Sequence, residues 1–560
     1  MNFWCKLQTV KGQAITAIKN NPLLSALLLF AFLYRLSGIF WGLPPLDLGY
    51  YHPDEPKIIH GAYNFPADIL SRVDLRYPTA CHYILGILTW PVKAILKSYG
   101  HEPFFFVYLS GRLLSVILGT ATVLMVFLLG RREFNKTHGL IAATALAFSM
   151  FHVANSAWAT TDVATSFLLT LFVYLVIPAI QKRSSRLALA SGVTLGMLVG
   201  AKYTGALAII PFFILLFVHH DLHKKHNTVV KVRNFLTDKY LWIIGLSSIV
   251  VFLISTPGII LHFSEFLSSI KYEQTRMAKY MKPMYDFEIW LNSFLKLGRT
   301  MGLPLAASAC IGVCITFITR TMFEIALLVL LVVFFVYFND ALAPRYLIMI
   351  MPLLSIFVAR ALLFPLLLRQ KWVQKGAIIV GASVLLHAFL YSSAGVISRY
   401  PDTRTTVSTY VRDNIPPEST IGIAYTSKVH GWQRHKWRYP KINFNVFHYL
   451  DFLHIPEYII VSYYDAVKMN KILLGNTLND NFVYPKSLAR HWYRSSPPEP
   501  LIFKCFFDLY FSDEPIYERI ARFIPKLLIA PIEFPPPTID VFKLKKEFHI
   551  KQESNSDLSY

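Results

Sequence analysis

Apolar residues run along this chain in blocks near 20 residues long, separated by short polar stretches, from about residue 22 to about residue 396. A helix rises roughly 1.5 Å per residue, so a block of that length matches about 30 Å of hydrocarbon. The pattern predicts spans at about 22–42, 105–130, 139–156, 163–181, 187–201, 204–218, 240–257, 299–318, 322–338, 346–364 and 376–396. The run from Leu187 to Val218 is divided in two for a reason. As one helix it would be about 48 Å long, and it would push Lys224, Lys225, Lys231 and Arg233 to the outer side. Two short spans cure both faults and leave Lys202-Tyr203 at the outward tip of a tight hairpin. The stretch Tyr77 to Tyr99 is apolar but interrupted by Pro91, Lys93 and Lys97. It is predicted to lie along the interface as an amphipathic helix.

From about residue 398 the pattern changes, as charges, prolines and polar residues rise. Thr405 to Asn414 reads as a helix, and Thr420 to Tyr425, Tyr458 to Tyr463 and Ile539 to Leu544 read as strands. The fold class is therefore a polytopic α-helical membrane protein of about eleven transmembrane helices with a C-terminal extracytoplasmic α/β domain. The membrane domain takes residues 1–397 and the outer domain residues 398–560.

Composition agrees: of 560 residues, 54% are hydrophobic and only 16% charged, against roughly a quarter charged in soluble domains. The net charge of +22 invites a nucleic-acid reading. The basic residues gather instead in short loops that the positive-inside rule keeps cytoplasmic, so no nucleic-acid partner is expected. Lys6, Lys11 and Lys19 place the amino end inside, and no cleavable signal is predicted. Cys5, Cys81, Cys310, Cys314 and Cys505 show neither metal-ligand spacing nor a disulfide framework.

Sorted by side, the outer ends collect Asp54, Glu55, Asp162, Lys202, Arg276 and Arg345. A charge inside a span costs roughly 2.5–3.5 kcal/mol, so such residues have partners or a task. Asp162 follows Thr160-Thr161 and suits a helix cap as well as it suits catalysis. Arg276 reads first as a snorkelling side chain, while Lys202, pinned at a hairpin tip, reads first as functional. Carboxylates and cations at one interface suit transfer chemistry on a lipid phosphate. Asp54 would take the proton of an attacking hydroxyl, with Lys202 and Arg345 stabilising the departing phosphate.

Five stretches then carry a resemblance: His52-Pro53-Asp54-Glu55; Gly111-Arg112-Leu113-Leu114-Ser115 through Arg131-Arg132; Thr161-Asp162; Gly200-Ala201-Lys202-Tyr203-Thr204-Gly205; and Pro344-Arg345-Tyr346 through Pro352. In order and sidedness the chain resembles the GT-C glycosyltransferases that use polyprenyl-phosphate sugars, in the branch of protein O-mannosyltransferases and the lipid A aminoarabinose transferase. Tyr400-Pro401-Asp402-Thr403-Arg404 with Asn414-Ile415-Pro416 is similar to the start of bacterial members' soluble domains. The tryptophan-tryptophan-aspartate signature of oligosaccharyltransferases is missing.

The resemblance implies Asp54, Glu55 and Asp162 as catalytic residues, and Lys202, Arg345, Tyr203, Tyr346 and Arg276 around the donor phosphate. It implies a polyprenyl-phosphate-linked sugar as donor, an extracytoplasmic lipid, glycan or protein as acceptor, and a bacterial inner membrane as the setting. No cofactor is obligatory, although His52, Asp54 and Asp162 have the chemistry to hold a divalent Mg, Mn or Zn ion. The competing reading is a flippase for lipid-linked sugars. It would set its charges near the midplane in matched halves, a pattern this sequence does not show.

Overall fold

A computed structural model describes residues 15–41, 52, 54–72, 74–221, 228–278, 287–319, 321–338 and 344–397, with 413–416, 419 and four strand segments beyond them. The chain divides into two compact units. One holds residues 1–39, 54–396 and 523–533; the other holds 40–53, 397–522 and 534–560.

The first unit is helical. Its longer helices begin with α1 (Pro22–Leu36), α2 (Glu55–Tyr63), α3 (Ala80–Ser98), α4 (Phe104–Glu133) and α5 (Lys136–Ala147). They continue with α6 (Thr161–Gln181), α7 (Ser185–Ala201), α8 (Ile209–Asp221), α9 (Lys239–Ser255) and α10 (Phe263–Ala278). The last are α11 (Phe287–Met301), α12 (Leu303–Thr319), α13 (Met322–Phe338), α14 (Met351–Leu363) and α15 (Lys371–Ile397). Three of them, α4, α6 and α15, are long and apolar enough to cross a membrane, and seven shorter apolar helices accompany them. The chain is an integral membrane protein.

Helix occurs in every predicted span, with one revision. The block at 139–156 is not continuous: α5 ends at Ala147, and a short helix, Met150–Asn155, starts afresh after Ser149 adopts an extended backbone. Ser149 turns its hydroxyl back to the Ala145 carbonyl, the local bond through which serine competes with helix continuation. The Tyr77–Tyr99 stretch forms α3, with Ile87, Leu88, Trp90 and Ile95 exposed on its outer face.

The predicted break at Lys202 is present. α7 stops there, Lys202 takes an extended conformation at φ −157° and ψ 126°, and a 3-10 turn over Tyr203–Ala208 leads into α8. The two pieces pack on different neighbours: α7 on α6 and α9, α8 on α13. A stripe of small residues sets the α7–α9 contact. A Cβ on Gly192 would stand 2.6 Å from the Ile244 carbonyl oxygen, and one on Gly196 2.5 Å from that of Ser248. Backbones approach this closely only where side chains are absent. Gly196→Val is expected to wedge the helices apart, costing about 1–3 kcal/mol and shifting Lys202 at the end of α7. A lower denaturation midpoint would register it, and an unchanged midpoint would refute it.

The second unit contains a four-stranded sheet in the order β1-β2-β4-β3, with β1 at Ile421–Ile423, β2 at Tyr458–Ser462, β3 at Trp492–Arg494 and β4 at Ile539–Leu544. β1 and β2 are parallel, while β4 runs antiparallel to β2 and β3, pairing Ile460 with Val541. Three of these strands lie within the stretches read as strands from the sequence, and β3 was not foreseen. The predicted helix Thr405 to Asn414 and the motif Tyr400 to Arg404 lie outside the described residues, save Asp413 and Asn414.

Candidate active site

Asp54 precedes α2, and Pro56 occupies the first turn, where a proline's missing N–H goes unneeded. The Asp54 carboxylate makes no capping bond to its own helix. It turns away from the helix end and, among the described residues, accepts hydrogen bonds from Lys57 Nζ at 2.9 Å, from Tyr77 Oη at 3.3 Å, and from Arg345 Nη1 at 3.0 Å. Arg345 comes from the 3-10 turn Pro344–Met349, nearly 300 residues away in the chain.

Asp162 lies in the first turn of α6, where the helix dipole favours an acid. The helix is capped at Thr160 with no side-chain cap bond, so a capping hydrogen bond from Asp162 is not what the structure shows. Asp162 accepts instead from Lys202 Nζ at 2.6 Å. Burial pushes the Lys202 pKa down, but the Asp162 carboxylate outweighs it and holds the ammonium above the ordinary lysine range.

Both pairs line one cavity of about 430 Å³. Tyr346 forms part of its wall, stacked on Phe338 at 4.7 Å and carrying Lys202 over its ring at 4.8 Å. Such a cation–π contact fixes an ammonium without using its hydrogen bonds. Arg276 also reaches the cavity, bonded through Nε to Glu273 at 2.8 Å. Tyr203 lines it too, although its hydroxyl is spent on the Leu75 carbonyl at 2.8 Å. Asp54, Asp162, Lys202, Arg345, Tyr203, Tyr346 and Arg276 are thus brought together from five separate parts of the chain.

Two predicted residues are elsewhere. Glu55 is fully buried and is not part of the cavity wall. Its Oε1 accepts from Arg112 Nε at 2.8 Å and from the Ala159 backbone N–H at 2.8 Å. Its Oε2 accepts from Tyr108 Oη at 2.6 Å and Arg112 Nη2 at 2.7 Å. With its lone pairs committed, Glu55 anchors α2 to α4 and to the backbone leading into α6, away from the cavity where it had been expected. His52 is likewise buried and does not line the cavity.

Among the described residues no group of three or more histidine, cysteine or acidic side chains could hold a metal ion. The two carboxylates that do reach the cavity each already face a cation, an arrangement suited to ion pairing.

Sequence reasoning passed over Arg76, Tyr77 and Glu273, which also line the cavity. Tyr77 keeps its phenolic proton well above the usual range through burial and the nearby Asp54 charge. It therefore acts as a donor to Asp54.

Residues 91–257 match the model of the dolichyl-phosphate-mannose-protein mannosyltransferase family. No curated protein matches the chain. Among solved structures, the Archaeoglobus fulgidus oligosaccharyltransferase tethered to an acceptor peptide is 13% identical. That alignment covers 94% of this chain and 89% of the other, with a TM-score of 0.47. The same enzyme complexed with Zn and sulfate is 12% identical over 92% of this chain and 88% of its own, at 0.43. ArnT from Cupriavidus metallidurans bound to undecaprenyl phosphate is 13% identical, over 86% of this chain and 97% of its own, at 0.44. The resemblance to GT-C glycosyltransferases read from the motifs is borne out over residues 91–257, the part that supplies Asp162, Lys202 and Tyr203 to the cavity.

Proposed function

We propose that the chain is an inverting glycosyltransferase that moves a sugar from a polyprenyl-phosphate donor to an extracytoplasmic acceptor. Residues 1–397 form its catalytic membrane domain and residues 398–560 an extracytoplasmic domain. The setting is a bacterial inner membrane, with the amino end cytoplasmic. The observation that carries this reading is the pair of ion pairs, Asp54–Arg345 and Asp162–Lys202, on the wall of one cavity.

The donor's phosphodiester, a monoanion, offers Arg345 and Lys202 further acceptor oxygens in that cavity and so competes with both carboxylates for them, and the polyprenyl phosphate that departs carries the larger negative charge. Drawing Arg345 towards the donor removes a positive charge from Asp54 and makes that carboxylate a stronger base. Donor binding and base activation are thereby linked. Asp54 then takes the acceptor's hydroxyl proton as the acceptor oxygen bonds to the anomeric carbon. The bond from that carbon to the phosphate oxygen breaks, and the electron pair leaves on the polyprenyl phosphate. Lys202 and Arg345 meet the growing negative charge. Asp162 holds Lys202 in place, and Tyr346 supports it from below.

Sugar release from a polyprenyl-phosphate donor by the purified chain tests the reaction, and mass spectrometry of the copurifying lipid names the donor. Lys202→Gln removes a charged hydrogen bond to phosphate worth about 1.5–3 kcal/mol. It is expected to weaken polyprenyl-phosphate binding about tenfold or more. Equal affinity in the variant and the parent would show that the phosphate sits elsewhere.

A further inference from the structure

Asp54 faces more than the donor cavity. Its Oδ2 meets Arg345, whereas its Oδ1 meets Lys57, and Lys57 lines a second cavity of about 200 Å³. Tyr77 belongs to both cavity walls, with the Lys57 ammonium over its ring at 4.4 Å. Asp54 is not part of that wall, but Lys57 and Tyr77, which both bond to it, are, together with Arg72 and the imidazoles of His60 and His82.

His82 is the informative group. It is fully buried, neither Nδ1 nor Nε2 makes a well-aligned hydrogen bond among the described residues, and the Thr79 and Lys57 backbone supplies only weak ones. Burial of a polar ring without partners costs about 1–3 kcal/mol per group, a cost that a ligand would relieve. The close packing around it has a specific origin. A Cβ on Gly61 would fall 2.5 Å from His82 Cδ2 and 2.6 Å from Arg72 Nη2, so only glycine lets α2 settle onto both.

We infer that this second cavity is an acceptor subsite that binds an anionic phosphate group through Lys57, Arg72 and His82, presenting the acceptor's hydroxyl to Asp54. This rests on the reading of Asp54 as the transfer base. The sign of the charge follows from the wall. Arg72 is held in place by a two-point bond to Asp68 at 2.6 and 3.0 Å, and Lys57 stands opposite it. The remaining acid, Asp74, is bonded at two points to Arg76. Burial and the Arg72 charge lower the His82 pKa to about 3. The ring is therefore neutral, chiefly through burial, and the Lys57 and Arg72 charges on the same wall favour an anion over a metal cation. The cavity is below the roughly 300–1,000 Å³ of clefts that enclose whole drug-sized ligands, a size suited to a headgroup fragment.

Site-resolved lysine labelling separates this subsite from the donor cavity. The full chain in phosphatidylcholine nanodiscs is treated with an amine-reactive reagent, and acylation of Lys57 and Lys202 is quantified by peptide mass spectrometry. Inorganic phosphate, or phosphatidylglycerol incorporated in the disc, is expected to protect Lys57 in a saturable manner. Protection by phosphate alone points to a soluble acceptor, and protection by phosphatidylglycerol alone points to a lipid headgroup. Polyprenyl phosphate is expected to protect Lys202.

His82→Leu is expected to raise the anion concentration needed to protect Lys57 about tenfold, the loss of one hydrogen bond to a charged group, with Lys202 protection kept. His82→Asn, which retains a donor, recovers part of that loss. If Lys57 is unprotected by either anion while Lys202 is protected, the acceptor subsite is wrong and the donor reading stands. If only Lys202 fails, the donor reading is wrong. If His82→Leu loses both protections its fold is damaged, and the parent and His82→Asn decide the matter.

Discussion

Asp54→Asn is expected to lower the rate of sugar transfer by about 10²–10⁴-fold, the usual contribution of a general base, while the protein still folds and binds donor. Asparagine keeps the size and one acceptor oxygen but cannot take a proton. Its amide nitrogen must face either Arg345 or Lys57, both donors, so one of these bonds is lost. The two losses have different consequences. An Arg345 freed from its carboxylate partner is more available to a phosphate, so donor affinity is expected to hold or to tighten as turnover falls. A variant that binds weakly and turns over normally once saturated would reverse the assignment, making Asp54 a binding group. Single-turnover measurement at saturating donor separates the two, because it reads chemistry without the contribution of binding.

Much of this site was legible because charge beside an apolar run is expensive, and the expense draws attention. Asp162, Lys202 and Arg345 each stand at the end of such a run, and each meets an oppositely charged partner or shares a wall with one. The break at Lys202 was legible for a different reason, the mismatch between a long helix and the hydrocarbon thickness. Glu55 was misread because adjacent acids look alike in a sequence. A helical residue is turned about 100° from its neighbour, so the carboxylate after Asp54 points into the bundle. The clue to its role was Arg112, an arginine in the middle of a predicted span that had been given no partner. Arg76, Tyr77 and Glu273 left no comparable trace, since polar residues in outer segments are ordinary until tertiary structure gathers them. The interruption at Ser149 was hidden by the unbroken hydrophobicity of its neighbours, and β3 by its three-residue length.

Arg112→Met is expected to destabilise the protein by about 3–5 kcal/mol, because it leaves the Glu55 carboxylate buried without its counter-charge. Both partners are fully buried, so water cannot take over for the missing guanidinium. Arg112 Nη1 also donates to the Ile39 carbonyl at 2.8 Å, and that bond is lost as well. Glu55→Gln is expected to destabilise comparably, as it strands the guanidinium. Two opposed apolar groups of similar volume need no desolvation, so the Glu55→Leu/Arg112→Met double variant is expected to recover a large part of the loss. Denaturation midpoints in detergent check this, and singles as stable as the parent would show that the pair contributes nothing. Activity should not follow stability in the double variant. Glu55 is covalently next to Asp54 and is bonded to the Ala159 N–H, three residues before Asp162. Asp54 and Asp162 therefore take their placement from this one buried acid, and a repacked apolar substitute restores the fold without restoring that registration. A double variant that regains its midpoint yet transfers sugar slowly, with donor affinity also reduced, is the outcome that marks Glu55 as a positioning residue.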